Sequence, residues 1–201
     1  MNTKITARVD EALWESFSDQ LDDLFIKKGP FLNYMIRREA PHLAADLKDK
    51  VLSTKAKRYI ANELARRRPI TVSIEVQKET ADLINGIVDA HNIVRDAFIN
   101  RLIIFLRSSE GLVKKLELPT MIDSRELGGL ESFPVSPLRT LECVRDDPLF
   151  YIRTFLEQTD EGIYTVSLGP KHIWTECFID DFEVPGTKAN RQMKLISELD
   201  F

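Results

Sequence analysis

TKITARVDEALWESFSDQLDDLFIKKGPFLNYMIRRE, residues 3–39, and PITVSIEVQKETADLINGIVDAHNIVRDAFINRLIIFLR, residues 69–107, follow one grammar. In the first, Ile5, Ala7 and Val9 alternate with Lys4, Thr6 and Arg8, the period of two that places apolar groups on one face of a strand. Asp10 can cap a helix in which Leu13, Phe17, Leu21, Leu24 and Phe25 recur at three- and four-residue spacing. Lys27-Lys28 followed by Gly29 is the expected end of that helix, cations at the negative pole and then a residue free to take φ > 0. Pro30 suits the first turn of a second helix, which Phe31, Leu32, Met35 and Ile36 extend to about Arg38, short of Pro41.

The second stretch repeats the order. Ile70, Val72 and Ile74 alternate with Thr71, Ser73 and Glu75, and Ala81, Ile84, Ile87 and Val88 space a helix. Asn92 takes the place of Gly29, asparagine being the next-best residue for a left-handed turn. From about Val94 to Leu106 the chain is apolar on nearly every side of a helix and must be buried on most of them. One strand and two short helices cannot do that alone, so the stretch needs a partner.

With that order in place, both stretches resemble the ribbon-helix-helix DNA-binding proteins, the family of the Arc and methionine repressors. The match of NIVRDAFINRLI, residues 92–103, to the family's turn and second helix is the closest, with Arg95 and Asp96 fitting its pattern. The first copy, GPFLNYMIRR, keeps a glycine, Asn33 and the apolar spacing. The resemblance implies that two units pair their strands into an antiparallel ribbon that enters the major groove. The residues it would aim at DNA are Lys4, Thr6 and Arg8 in one strand and Thr71 and Ser73 in the other, with Asn33, Arg68 and Arg95 beside them. Glu75 departs from the pattern, because a carboxylate facing DNA must accept from a cytosine amino group or repel the backbone.

Residues 40–68, rich in Ala, Leu and Lys, look helical and are long enough to let Ile5–Val9 lie antiparallel to Ile70–Ile74 within one molecule. That pseudo-dimer is favoured. Pairing between two chains in a homodimer is the other arrangement, and an asymmetric ribbon would read a non-palindromic half-site where a symmetric one reads an inverted repeat.

The net charge of −4 conceals a division: residues 1–107 carry +3 and residues 108–201 carry −7. Lys48, Lys50, Lys55, Lys57, Arg58, Arg66, Arg67 and Arg68 form a basic stretch suited to phosphate attraction or to a solvated helix face. Two cysteines, Cys143 and Cys177, are too few for a disulfide framework. The opening MNTKITARVD lacks the apolar run of a signal peptide and no apolar run approaches about 18 residues. These features give the expectation of a cytoplasmic protein with no membrane partner.

After Arg107 the texture changes: SSEGL at 108–112 and then GGLESFPVSP at 128–137 mark the passage from the helices to a different domain, with the boundary expected near 110–120 and the domain over 115–201. Thr140–Arg145, Leu149–Leu156, Ile163–Leu168 and His172–Ile179 read as a small antiparallel meander, although Phe150–Leu156 also suits a helix; Thr187–Leu199 reads as a closing helix. His172 and Cys177 lack the paired close ligands of zinc. Glu176, Asp180, Asp181 and Glu183 could hold Mg²⁺ in a nuclease, but a solvated acidic edge is the simpler account.

The sequence therefore predicts an α+β protein: a tandem ribbon-helix-helix domain over residues 1–110 and a mainly β C-terminal domain. It predicts a sequence-specific binder of double-stranded DNA, a repressor or other transcriptional regulator, with no enzymatic activity, catalytic residue, metal or cofactor. An antitoxin whose C-terminal half meets a toxin, a plasmid or phage DNA-processing accessory protein, and a Mg²⁺-dependent nuclease are the alternatives.

Overall fold

The strand at Asn2–Val9 (β1) and the strand at Ile70–Gln77 (β2) pair antiparallel within the chain, from Asn2 opposite Gln77 to Val9 opposite Ile70. Ile5, Ala7, Val9, Val72, Ile74 and Val76 are all buried on one face of this two-stranded ribbon, as their alternation with polar residues requires. The structure is a computed structural model that describes residues 2–107, 112, 114, 116, 147–157 and 161–199. The fold is α+β. Around the ribbon lie helices α1 (Glu11–Asp23), α2 (Lys28–Asp46), α3 (Thr54–Arg66), α4 (Lys78–Ala90) and α5 (Arg95–Arg107). Farther on come α6 (Phe150–Glu157), a short 3₁₀ helix at Pro170–Thr175, and α7 (Lys188–Leu199).

Local signals set most of these boundaries. Asp10 caps α1 by accepting from the Leu13 amide at 3.0 Å, and Ser53 caps α3 by accepting from Ala56 at 3.1 Å. Asn92 holds the left-handed conformation, φ 53°, before α5. Two expectations need correction. The left-handed residue between α1 and α2 is Phe25, φ 56°, and Gly29 already lies in the first turn of α2. That helix also runs past Arg38 and through Pro41 to Asp46. Proline removes one helical hydrogen bond, a cost of about 3 kcal/mol, but Ile36, Glu39, Ala40 and Leu43 are buried on both sides of it and hold the helix together.

Contacts divide the chain into Met1–Ile103 together with Tyr164–Phe201, and Ile104–Ile163. The C-terminal segment thus belongs to the same unit as the ribbon. Arg101 of α5 is fully buried and donates to Glu176 Oε2 at 3.0 Å and to the Val166 carbonyl, while Glu176 Oε1 accepts from the Leu168 amide at 3.0 Å. Burial pushes the Glu176 carboxyl above its usual range against the pull of Arg101. Tyr164 donates its amide to Asp46 and its hydroxyl to buried Glu39, and Arg67 stacks over Trp174 with its guanidinium 4.6 Å from the ring. In the second unit, α6 buries Ile152 and Leu156.

The expected meander is corrected as well. No strand occurs among the described residues after Gln77. Leu149, Ile152 and Leu156 are buried at helical spacing, so 149–156 is helix α6 and its approach. Along 164–168, backbone groups are satisfied by Asp46, Arg101 and Glu176 side chains where a ladder would have needed a neighbouring strand. Gly169 at φ 80° and Pro170 then open a 3₁₀ helix where the strand at His172–Ile179 was expected. Thr140–Arg145 and the stretch 128–137 lie outside the described residues. The closing helix does form, with Thr187 Oγ1 accepting from the Asn190 amide at 3.1 Å. Among the described residues no helix is long and apolar enough to cross a membrane.

Removing Arg101 strands a buried carboxylate, so Arg101→Met is expected to cost about 3–5 kcal/mol in urea unfolding; a loss within about 0.5 kcal/mol, the range of surface changes, would show that the pair does not anchor the segment. Cys177 is buried and its thiol is pushed up to about 12 by burial. In a Cys143→Ser chain, thiol reagents are expected to label Cys177 only as the protein unfolds; rapid labelling in native buffer would place it at the surface.

Candidate nucleic-acid interface

The face of the ribbon opposite the core consists of Asn2, Lys4, Thr6, Arg8, Thr71, Ser73, Glu75 and Gln77, all exposed. Their order across the strands is fixed by the register: Arg8 beside Thr71, Thr6 beside Ser73, Lys4 beside Glu75, Asn2 beside Gln77. The sequence-predicted residues Lys4, Thr6, Arg8, Thr71 and Ser73 therefore share one surface.

Three side chains strap this ribbon to the helices. Asn100 of α5 is buried; its Oδ1 accepts from the Asp10 amide at 3.1 Å, and its amide nitrogen donates to the Arg8 carbonyl at 2.9 Å and the Asp96 carbonyl at 2.7 Å. Asn33 of α2 does the equivalent at the other strand end, its Oδ1 accepting from the Gln77 amide at 2.8 Å. Arg95 donates to the Thr6 carbonyl at 2.7 Å and to Asn85 at 3.2 Å. Asn33 and Arg95, expected to face DNA, are thus engaged with the ribbon's own backbone. They lie at its flanks.

Arg8 is the most committed residue of the outward face. Its Nε donates to Asp96 Oδ2 at 2.9 Å, with the Arg8 side chain 44% exposed and that of Asp96 15%. Glu75 Oε1 accepts from the Asn2 side-chain amide at 2.8 Å. Arg68 is exposed at φ 54°, immediately before Pro69 and β2.

The basic stretch is divided in use. Lys57 donates to Asn92 Oδ1, Arg66 to Glu63, and Arg67 to Asp10 Oδ2 at 2.8 Å, while Lys50 lies over the Phe178 ring. Lys48, Lys55, Arg58 and Arg68 are exposed. The buried stripe Ala56, Ile60, Leu64 faces the core, so these cations are the solvated side of α3 and the loops around it.

Open grooves border the ribbon on its flanks. One of about 540 Å³ is lined by Lys4, Thr6, Lys78, Asn85 and Arg95 among others, and a second of about 470 Å³ by Arg8, Lys57, Arg95 and Asp96. A hollow of about 230 Å³ lies by Gly29, Pro30, Asn33, Glu75 and Gln77. The acidic residues of the C-terminal segment do not gather: Glu176 is buried against Arg101, Asp181 accepts from Ser53, and Glu183 accepts from the Asp180 amide. No group of three His, Cys, Asp or Glu side chains among the described residues could hold a metal ion.

Asn100 and Asn2 carry parts of this site that sequence reasoning did not single out, and Asp96, read there only as fitting the family's turn, pairs with Arg8. Asn100 had a usable signal. The two helical pairs stand at a constant offset, α1 and α4 opening at Glu11 and Lys78, α2 and α5 at Lys28 and Arg95, 67 positions apart in each case. In that frame Asn33 and Asn100 coincide, as do Phe31 and Phe98. Comparison with protein-family models, curated proteins and solved structures returns no match.

Asn100→Ala leaves a buried amide without an acceptor and is expected to cost about 3 kcal/mol, against about 1 kcal/mol for Asn33→Ala at the more open end. Urea midpoints of the two variants test this, and equal losses would contradict the unequal burial assigned to the two straps.

Proposed function

We propose that the chain binds double-stranded DNA in a sequence-dependent manner, laying its ribbon in the major groove in the way of the ribbon-helix-helix proteins, and acts as a transcriptional regulator. The observation that carries this reading is the outward ribbon face: eight side chains, every one polar and exposed, on a two-stranded ribbon whose other face is buried. A two-stranded β-ribbon fits the major groove of B-DNA, where base edges present donors and acceptors that such side chains can pair with. The face carries two cations, Lys4 and Arg8, against one carboxylate, Glu75.

Phosphates would run along the grooves at the ribbon's flanks. Lys4, Lys78 and Arg95, the last at the start of α5, border that path. Arg95 and Asn33 would then act by fixing the ribbon's backbone, and Lys4, Thr6, Arg8, Thr71 and Ser73 by reaching the bases, with exposed Arg68 at the entry to β2. Because both strands come from one chain, a single molecule supplies a complete reader.

A regulator accounts for the C-terminal segment better than an antitoxin does. Residues 164–199 pack within the unit that holds the ribbon, through Arg101, Glu39, Asp46 and Arg67, and so serve the scaffold.

Replacing Lys4 and Arg8 together by Ala is expected to lower affinity for a selected duplex by roughly ten- to a hundredfold and to reduce the salt slope by about 1. Titration by fluorescence anisotropy at several salt concentrations measures both, with circular dichroism confirming the fold. Unchanged affinity and slope would remove the ribbon from the DNA interface.

A further inference from the structure

The register and the repeat together place a local two-fold axis. Thr6 lies across the ribbon from Ser73, and Ser73 is also the residue 67 positions on, the offset that relates Glu11 to Lys78 and Lys28 to Arg95. The axis therefore passes between Thr6 and Ser73. Two residues farther along each strand stand Arg8 and Glu75, equivalent by that symmetry and opposite in charge.

Each of the two is held by a neighbour that uses up one of its polar atoms and leaves the rest. Asp96 takes the Nε of Arg8, and among the described residues the two terminal nitrogens have no other partner, so they can form the fork that pairs with guanine O6 and N7. Asn2 takes Oε1 of Glu75, which leaves Oε2 to accept from a base amino group, cytosine N4 above all. One end of the ribbon thus presents a braced donor and the symmetry-related end a braced acceptor.

We infer that the DNA site is polar: at the two steps equidistant from its centre, the base nearest Arg8 is a guanine and the base nearest Glu75 is a cytosine. With the two strands of DNA related by the same axis, this puts guanines on one strand at both steps, whereas an inverted repeat would put them on opposite strands. Asp96 and Asn2 are positioning residues that act through Arg8 and Glu75. This rests on the major-groove reading above, and the two fail differently.

The test is selection of duplexes from a random pool by the full chain and by Glu75→Arg, an exposed substitution that restores like chemistry at the two ends. The native chain is expected to enrich an oriented site with same-strand guanines, and Glu75→Arg a site closer to an inverted repeat. In Asp96→Asn, preference for guanine over adenine at the Arg8 step should fall roughly tenfold with the salt slope unchanged. A palindrome selected by the native chain, or one unchanged consensus for both proteins, would overturn the polarity while leaving DNA binding intact. Failure to enrich any sequence would overturn both. A uniform loss across all sequences in Asp96→Asn would reduce Asp96 to a structural contact.

Discussion

Everything in this fold depends on the antiparallel pairing of Asn2–Val9 with Ile70–Gln77 inside one chain. Strand side chains alternate with a period of two, so a slip of one residue would carry Ile5, Ala7 and Val9 to solvent and Lys4, Thr6 and Arg8 into the core. An isolated two-stranded ribbon is marginal in water. This one persists because its apolar face is packed on helices contributed by both segments, with α2 lying against both α4 and β2. The polar straps act where packing cannot: Asn33 and Asn100 accept the first amide beyond the ladder or its last one, and Arg95 covers a carbonyl within β1.

The same construction separates two tasks usually assigned to one set of residues. Asn33, Asn100 and Arg95 use their polar atoms on the ribbon's backbone and hold it in position. Lys4, Thr6, Thr71 and Ser73 present theirs outward, as do the terminal nitrogens of Arg8 and Oε2 of Glu75. Precision at a recognition surface comes from side chains whose own geometry is fixed by a supporting layer, and on the proposed reading the hydrogen bonds of Asp96 to Arg8 and of Asn2 to Glu75 would supply that layer. Fusing the two halves in one chain also frees the two strands to differ, which a homodimer's symmetry forbids.

Much of this was legible in the sequence, for identifiable reasons. The alternations around Ile5–Val9 and Ile70–Ile74 gave both strands and both faces, and Asp10 and Asn92 marked a cap and a turn through chemistry specific to those residue types. Gly29 misled because glycine's preference for φ > 0 is permissive: Phe25 takes that conformation, and the residue is 96% exposed, where a bulky group is free of crowding. That error shifted the alignment of the two copies by four positions and hid the coincidence of Asn33 with Asn100. Pro41 misled in the opposite sense, since tertiary burial on either side of it outweighs one lost hydrogen bond. The C-terminal strands were misread because β-branched and aromatic residues there are buried by packing, with side chains of distant residues in place of a ladder. Asp46, Arg101 and Glu176 meet that segment across more than a hundred, sixty-five and eight positions respectively, and no local pattern announces such bonds.

The central claim is that the polar ribbon face lies in the major groove, and dimethyl sulfate probing of the complex with a selected duplex tests it most directly. The reagent methylates guanine N7 in the major groove and adenine N3 in the minor groove. Protection of guanine N7 under the ribbon, lost in Arg8→Ala, with adenine N3 still reactive, is the predicted result. Protection confined to adenine N3, or guanine N7 protection that survives Arg8→Ala undiminished, would contradict it.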